Sequence, residues 1–472
     1  MAVTSASAVI AEASLELAAD VRELAWIAHD QARRAEAGSG SAMIGDLRCA
    51  ALAEASALER LATALIARPS SRALELASGE RAARARTVRA RQAVLAGALV
   101  APSWQSPSIR DAHCPQAGPA RGAVTAHHDD YARDRHPSGR AFERRLAATR
   151  SSHSGALLTS CGMAATVVAL AHLARAGALR GDVLVGASAY HETRDLVCSA
   201  SPHAVLRREH PDVAFTDEIR RLRPSCVVLD VVATEHGAAV PHLPCIARAL
   251  AAARPGAWLL VDTTGAPLAP SPLDLREARD GRLRVLALES LTKHAQLGLD
   301  RVTAGAIYAP RSELAALDQA REHLGANIAD ASVHALPTPD RAVLARRLAR
   351  HARNAGVLAR RLQAAAPPAI SVAHPALPAH PGHARRPATW LTLLLPTAMQ
   401  ARAFIDAALR HARAHDVALV EGASFGLDTT RIYAPSPGQD PQIGFVRISP
   451  GIEHCAELPR LACTLAHALR RA

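Results

Sequence analysis

The spacing of apolar positions changes along the chain. It has a helical period at first, and further along short strand-like runs alternate with helical stretches. Residues 1–100 read as Ala-rich amphipathic stretches, interrupted at GSGS (38–41) and RPSSR (68–72). This pattern predicts an N-terminal helical extension over residues 1–100. Pro102, Pro107, Pro115 and Pro119 follow, and they predict a loop or arm rather than a regular element at the start of a connector and arm over residues 101–150.

Short β-rich runs alternate with helical stretches between residues 151 and 330. The strand candidates are DVLVG (182–186), CVVLDVV (226–232), AWLLVD (257–262) and RVLALES (284–290). Helical patterns such as Met163–Ala176 and Leu243–Ala253 lie between some of them. The alternation predicts an α/β domain with a mostly parallel sheet, in which ligands bind at the carboxyl ends of the strands.

The last part of the chain, residues 331–472, has a different order of elements. A long basic helix, about Asp340–Ala365, leads to the Pro/His-rich stretch SVAHPALPAHPGH and to the strand WLTLLLP. A helix, Met399–His415, and a final strand–helix segment follow. This order predicts a smaller C-terminal α+β domain.

Composition narrows the classes of protein to consider. No long uncharged apolar stretch and no basic leader with an apolar core occurs, so we expect neither a membrane span nor a signal peptide. The eight cysteines are scattered, which favours reduced thiols in a cytoplasm and no metal site. The net charge of +12 could indicate nucleic acid, but dispersed arginines and 3% aromatic residues argue against that partner.

Lys293 is the only lysine among 55 lysine and arginine residues. A guanidinium stays protonated and does not condense with an aldehyde, whereas a primary amine does. The one position at which this chain uses lysine is therefore a candidate for amine chemistry. A chance surface lysine is the alternative, and the neighbouring sequence has to decide between them.

That neighbouring sequence fits pyridoxal phosphate (PLP), which needs a lysine amine, a carboxylate at the ring nitrogen, phosphate donors and a cation for the substrate carboxylate. Asp262 ends a predicted strand and could pair with the ring nitrogen, or it could cap a helix. Arg447 is a lone cation in the apolar run FVRISPGIE. It could bind a carboxylate in a bidentate manner or form an internal salt bridge.

Candidate phosphate and ring contacts are individually weak. Ser160 and Gly162 open a predicted helix whose N-terminal amides suit a phosphate, although such a sequence is often only a cap. Ser290 and Thr292 flank the lysine in S-L-T-K, and Tyr190 could stack on a pyridine face.

Six segments occur in the order that typifies one enzyme family. They are YARDRHPSGRAFERRLAA, SCGMAA, VDTTGAP, SLTKH, PALPAHPGH and VRISPGIE. On these segments, residues 125–472 resemble the cystathionine γ-synthase/γ-lyase group of fold-type I PLP enzymes. The first hundred residues match nothing in the family core.

The resemblance implies a role for each matching residue. Lys293 would carry the cofactor as a Schiff base and shuttle protons, Asp262 would pair with the ring nitrogen, and Tyr190 would stack on the ring and help to deprotonate the substrate. The other implied contacts are with the phosphate (Gly162, Met163, Ser290 and Thr292), with the phosphate of the neighbouring subunit (Tyr131 and Arg133), and with the substrate carboxylate (Arg447 and Ser424). A dimer or tetramer with shared active sites follows from these matches.

Departures from the family pattern fall at substrate-facing positions. Glu192 stands where methionine γ-lyases have cysteine, Thr234 aligns loosely with a family asparagine, and His294 replaces the usual tyrosine. The segment 424–430 also differs. We therefore expect a specialised member that performs γ-elimination or γ-replacement on an amino acid with a side-chain leaving group. An alkyne- or alkene-forming enzyme, similar to propargylglycine synthase, and a non-enzymatic PLP-fold regulator remain alternatives.

Overall fold

The computed structural model of the chain describes residues 5–38, 41–100, 137–151, 154–209, 212–233, 240–383, 385, 388–434 and 444–471. Tyr131, Arg133 and Thr234 lie outside the described residues, so the expectations attached to them stay predictions. Among the described residues, no helix combines the length and the apolar character that crossing a bilayer requires.

Three long helices form the N-terminal part: α1 (Ala6–Glu36), α2 (Ala42–Ala67) and α3 (Ser71–Val100). The Ser5 and Ser41 hydroxyls accept hydrogen bonds from the backbone N–H groups of the first turns of α1 and α2, as N-caps do. Their buried faces are mostly alanine and leucine, and they share one apolar cluster with Leu297, Leu299, Val343 and Leu344. The predicted helical extension is confirmed, and it packs on the rest of the chain.

A seven-stranded sheet forms the centre of the molecule. Its strands are β1 (Ser154–Thr159), β2 (Val183–Gly186), β3 (Ala204–Arg207), β4 (Cys226–Asp230), β5 (Trp258–Asp262), β6 (Arg284–Ser290) and β7 (Gly305–Pro310). They are ordered β1-β7-β6-β5-β4-β2-β3. Strands β6, β5, β4, β2 and β3 are parallel, and β7 runs antiparallel to β1 and β6. The predicted mostly parallel sheet is confirmed.

Helices cover both faces of this sheet. They are α4 (Pro137–Arg150), α5 (Gly162–Arg175), α6 (His191–Ala200), α7 (Asp212–Leu222), α8 (Leu243–Ala253), α9 (Arg276–Arg279), α10 (Arg311–His323) and α11 (Asp330–Ala335). Alternate residues of the central strands enter two separate apolar clusters, as in Leu259 and Val261 against Leu260. Strands buried on both faces explain why the predicted runs are continuously apolar.

The C-terminal part is the predicted smaller α+β unit. The long helix α12 (Arg341–Ala365), capped by Asp340, precedes a second sheet of order β10-β11-β12-β9-β8. The remaining elements are β8 (Ser371–Ala373), β9 (Leu391–Leu395), α13 (Ala398–Ala414), β10 (Val420–Glu421), β11 (Arg431–Tyr433), β12 (Gly444–Ser449) and α14 (Leu458–Leu469).

Candidate active site

The carboxyl ends of the parallel strands open onto one cavity of about 1180 Å³, its mouth included. Asp230 and Asp262 end the paired strands β4 and β5, and their Cα atoms are opposite each other in the ladder. Eight residues predicted from the sequence line the cavity: Gly162, Met163, Tyr190, Asp262, Ser290, Thr292, Lys293 and Arg447. The fold therefore brings together residues that are up to 285 positions apart in the sequence.

Lys293 follows β6 and begins a short turn of 3-10 helix, His294–Gln296. Its ammonium group donates a hydrogen bond to the Ser424 hydroxyl at 3.1 Å (Nζ to Oγ). Burial, followed by the positive charge of Arg447, lowers the pKa of Lys293 to about 8. About a tenth of this amine is therefore unprotonated and nucleophilic at pH 7, far more than for a lysine with the usual pKa.

Asp262 lines the same cavity from the end of β5. Its Oδ1 accepts a hydrogen bond from the backbone N–H of Thr264 at 2.8 Å. Burial raises the pKa of Asp262, and the charge of Lys293 acts in the opposite direction. A desolvated carboxylate is stabilised by a cation within contact distance, which is what a protonated ring nitrogen would provide.

The start of α5 forms the wall of the cavity next to β6. A Cβ at Gly162 would lie 2.8 Å from the Ser290 Cβ, so this close approach requires glycine. The Cys161 thiol accepts a hydrogen bond from the Ala164 backbone N–H at 3.3 Å, as an N-cap. A helix N-terminus beside the hydroxyls of Ser290 and Thr292 is a donor set suited to a phosphate.

Arg447 lies on β12 and is 7% exposed. Its guanidinium donates a hydrogen bond to the Ala423 carbonyl and lies 5.6 Å and 5.4 Å from the ring centroids of Phe425 and Tyr433. Both aromatic rings line the cavity. The rings fix the orientation of a cation that faces the same space as Lys293.

Tyr190 precedes α6, and its backbone N–H donates to the Asp230 carboxylate at 3.1 Å. Burial and the neighbouring Glu192, including a hydrogen bond between the two side chains, raise the pKa of the Tyr190 phenol. The hydroxyl is therefore protonated at neutral pH. Glu192 itself is exposed, in the first turn of α6.

Three of the predicted site residues, Ser160, Ser424 and Glu192, are not among the residues that line the cavity. The Ser160 backbone N–H donates to the Ala326 carbonyl at 3.0 Å. His294 is buried and is not among the residues that line the cavity, and its Nε2 lies 3.1 Å from the Thr389 hydroxyl. Burial lowers the pKa of His294 well below the usual value, so this imidazole is neutral.

Among the cavity residues to which sequence reasoning assigned no individual role are Cys161, Asp230, Phe425 and Tyr433. Asp230 ends a predicted strand just as Asp262 does, so the strand-end rule could have identified it. Phe425 and Tyr433 belong to the C-terminal part of the chain. Nothing in their spacing indicates that they meet Lys293.

Comparisons with known proteins agree with this arrangement. A family model described as Cys/Met metabolism PLP-dependent enzyme matches residues 85–411. No match is found among curated proteins.

Solved structures with a similar fold include three from bacteria. Cystathionine gamma synthase from Xanthomonas oryzae pv. oryzae, in complex with cystathionine, has a TM-score of 0.59 at 22% identity, over 75% of this chain and 91% of its own. The metB protein of Corynebacterium glutamicum has a TM-score of 0.58 at 21% identity, over 74% of this chain and 89% of its own. The cystathione gamma lyase CalE6 of Micromonospora echinospora has a TM-score of 0.57 at 22% identity, over 75% of this chain and 91% of its own. At these identities the likeness establishes the fold.

Proposed function

Because the chain belongs to the Cys/Met metabolism family of PLP-dependent enzymes, we propose that it catalyses γ-elimination or γ-replacement on an amino acid that carries a side-chain leaving group. One observation carries the proposal. The only lysine of the chain has a lowered pKa and lines one cavity with a half-buried carboxylate and a buried arginine. These are the amine, the ring partner and the substrate cation that the chemistry needs.

The donor set of the cavity fits the cofactor. The Lys293 amine would hold the aldehyde, the Asp262 carboxylate would hold a proton on the ring nitrogen, and the Tyr190 ring would stack on the pyridine. The start of α5, with Gly162 and Met163, would bind the phosphate together with Ser290 and Thr292. When bound, pyridoxal phosphate supplies an electron sink that stabilises negative charge beside the substrate amino group.

Lys293 is also the best-placed proton acceptor in the cavity. Its pKa of about 8 leaves part of the amine unprotonated, whereas the raised pKa of Tyr190 keeps the phenol protonated. We therefore assign proton removal at the substrate α- and β-carbons to Lys293 Nζ, and ring stacking to Tyr190. Ser424 would orient the amine through the hydrogen bond that it accepts.

Substrate recognition would begin at Arg447. A guanidinium pairs with a carboxylate through two parallel hydrogen bonds, and such a pair is strong where water is excluded. The substrate side chain would then extend towards the residues that depart from the family pattern, Glu192 and the segment 424–430. We propose a specialised member of the family on this basis.

The active form would be a dimer or tetramer with shared sites. Tyr131 and Arg133, which are outside the described residues, match the family positions that reach the neighbouring subunit's phosphate. In the domain division that we propose, residues 101–150 are the intersubunit arm. The helical extension (1–100) precedes this arm, and the PLP domain (151–330) and the C-terminal α+β domain (331–472) follow it.

Two measurements test the proposal. Borohydride reduction of the protein with pyridoxal phosphate should attach one cofactor to the peptide that contains Lys293, and Lys293→Ala should abolish this attachment. Wild type is then supplied with homoserine esters, cystathionine, methionine and γ-halogenated amino acids, and the products are identified.

Keto acid with ammonia indicates elimination, a new side-chain bond indicates replacement, and a retained amino acid with an alkyne or alkene indicates the alternative activity. No attachment at Lys293 would refute the cofactor assignment. Attachment without turnover of any γ-substituted amino acid would refute the reaction.

A further inference from the structure

The N-terminal helices reach the active site through Asp428, which lies in the loop that also carries Ser424. Three arginines surround the Asp428 carboxylate. Arg81 and Arg89 come from α3, at 3.0 Å and 3.2 Å from Oδ2, and Arg347 comes from α12, at 2.7 Å from Oδ1. These positive charges hold the pKa of Asp428 below its usual range despite burial. The carboxylate is therefore charged in the folded protein at neutral pH.

Arg347 continues this network into α1. Its side chain is fully buried, and it pairs with Glu23 at 2.6 Å and donates to the Gly426 carbonyl at 3.1 Å. The loop 423–430 carries Ser424, the hydrogen-bond partner of Lys293, and the cavity residue Phe425. This loop is thus held at Gly426 and at Asp428 by groups outside the cavity.

Arg89 contacts a second active-site segment as well. Its guanidinium donates twice to the Gly298 carbonyl, at 3.1 Å from Nε and 2.7 Å from Nη2, besides its contact with Asp428. Gly298 ends the turn that follows Lys293. One side chain of α3 therefore joins the turn after the lysine to the loop that contains its hydrogen-bond partner.

These two segments fit closely enough for a displacement of one to move the other. A Cβ at Gly298 would lie 2.3 Å from Asp428 Oδ1, and a Cβ at Gly426 would lie 2.9 Å from the His294 backbone nitrogen. Both glycines have positive φ angles, +77° and +81°. The approach leaves no room for a side chain at either position.

We propose that the N-terminal helices position the active site, and that Arg89 is the positioning residue that holds the Lys293 turn and the Ser424 loop in register. The helical extension then determines how well the lysine amine is shielded and oriented. This inference rests on the roles proposed for Lys293 and Ser424. Its test measures the amine itself and needs no substrate.

The test uses the fact that Lys293 is the only lysine. The full-length protein without cofactor is treated with trinitrobenzenesulfonate from pH 6 to 11, and the modified peptide that contains Lys293 is quantified by mass spectrometry. Wild type is compared with Arg89→Met and with the control Arg86→Met, an exposed arginine one turn away on α3. Urea unfolding is recorded for each variant.

The expected result is specific to Arg89. The largest charge effects on Lys293 are those of Arg447, Asp300, Arg431 and Asp262. Replacing Arg89 changes none of them. A shift of the labelling midpoint would therefore report altered hydration and position of the amine. For Arg89→Met the midpoint should rise by about 0.5–1 pH unit towards the usual value of lysine, and for Arg86→Met it should not move.

Two outcomes would overturn the inference. One is a labelling midpoint in Arg89→Met equal to that of wild type. The other is a loss of stability in this variant without any change at Lys293, because that result assigns Arg89 a purely structural role. Should Arg89→Met fail to fold, Arg89→Gln, which keeps one amide donor, is measured in the same way. An unchanged midpoint there would also refute the proposal.

Discussion

Lys293 illustrates how reactivity opposes stability at a single side chain. A half-buried ammonium beside the positive charge of Arg447 is unfavourable, so the folded protein releases its proton near pH 8, whereas lysine in an unfolded chain does so near 10.5. Between these values the unfolded chain binds a proton that the folded chain does not. The free energy of unfolding therefore rises with pH across this window, and below pH 8 the folded state bears the full penalty.

Replacing Lys293 by methionine should consequently stabilise the protein. In the absence of cofactor we expect Lys293→Met to raise the free energy of unfolding at pH 7 by on the order of 1–3 kcal/mol. The gain should shrink between pH 8 and 10. Urea unfolding of both proteins at pH 7 and pH 10 measures it. A methionine variant that is less stable than wild type at pH 7 would contradict the pKa assignment.

Asp262 should affect turnover rather than attachment of the cofactor. Asp262→Asn keeps the shape but removes the charge that would hold a proton on the ring nitrogen. We expect kcat to fall by roughly a hundredfold or more. Each pKa unit lost at the ring nitrogen corresponds to about 1.4 kcal/mol, or a factor of about ten in rate, and we expect a loss of about two units. Borohydride attachment at Lys293 should remain close to wild type. Undiminished turnover would exclude the proposed pairing.

At this scale the sequence was most informative about the residues proposed to bind the cofactor. Lys293 and Asp262 could be identified because each follows a recognisable strand, and because lysine occurs once. Phe425 could not be identified in this way, because its contact with Lys293 depends on how the C-terminal part of the chain packs on the large sheet. Ser160 could be placed near the helix start, yet only geometry distinguishes it from Cys161, which lines the cavity.

At the scale of elements, the long amphipathic helices and the fully buried strands were predictable. Leu243–Ala253 and Arg284–Ser290 have the predicted bounds. The strands β1, β3 and β7 were not predicted. β1 and β7 are short apolar runs without alternation, and β3 is an edge strand with no buried residue.

The junction of α5 with β6 gives a prediction at the same scale. Gly162→Ala would force the added Cβ against Ser290, so the helix start and the strand end must separate. We expect a loss of about 1–3 kcal/mol in the free energy of unfolding and weaker binding of pyridoxal phosphate. Urea unfolding and equilibrium dialysis measure these effects.

Gly45 supplies the matched control for that substitution. It lies in α2 and is exposed, and no other atom lies within 4 Å of the position that an added Cβ would take. Gly45→Ala should stabilise the helix by about 0.5–1 kcal/mol and leave cofactor binding unchanged. Equal effects at both glycines would mean that the start of α5 is not closely fitted to β6.

At the scale of the whole molecule, the cavity exists only where several parts of the chain meet. Lys293 and Asp262 come from the large sheet, Arg447 from the small one, and Trp390 and Phe425 belong to the apolar cluster of the large domain. The helical extension adds its contacts at Asp428 and Gly298. The order of elements predicted the two sheets and the N-terminal helices, but not that these helices would contact segments next to the cavity.

The proposed sharing of active sites between subunits can be tested by mixing two inactive variants. If Arg133 serves the neighbouring subunit, Lys293→Ala and Arg133→Ala each inactivate a homodimer, yet a mixed dimer contains one site in which both residues are intact. After the two inactive variants are unfolded together and refolded as an equimolar mixture, roughly a quarter of wild-type activity should return, because half of the dimers are mixed and each has one working site. The activity of the mixture is compared with that of each variant refolded alone. A mixture no more active than its components would mean that each subunit completes its own site, and Arg133 would then lose its proposed role.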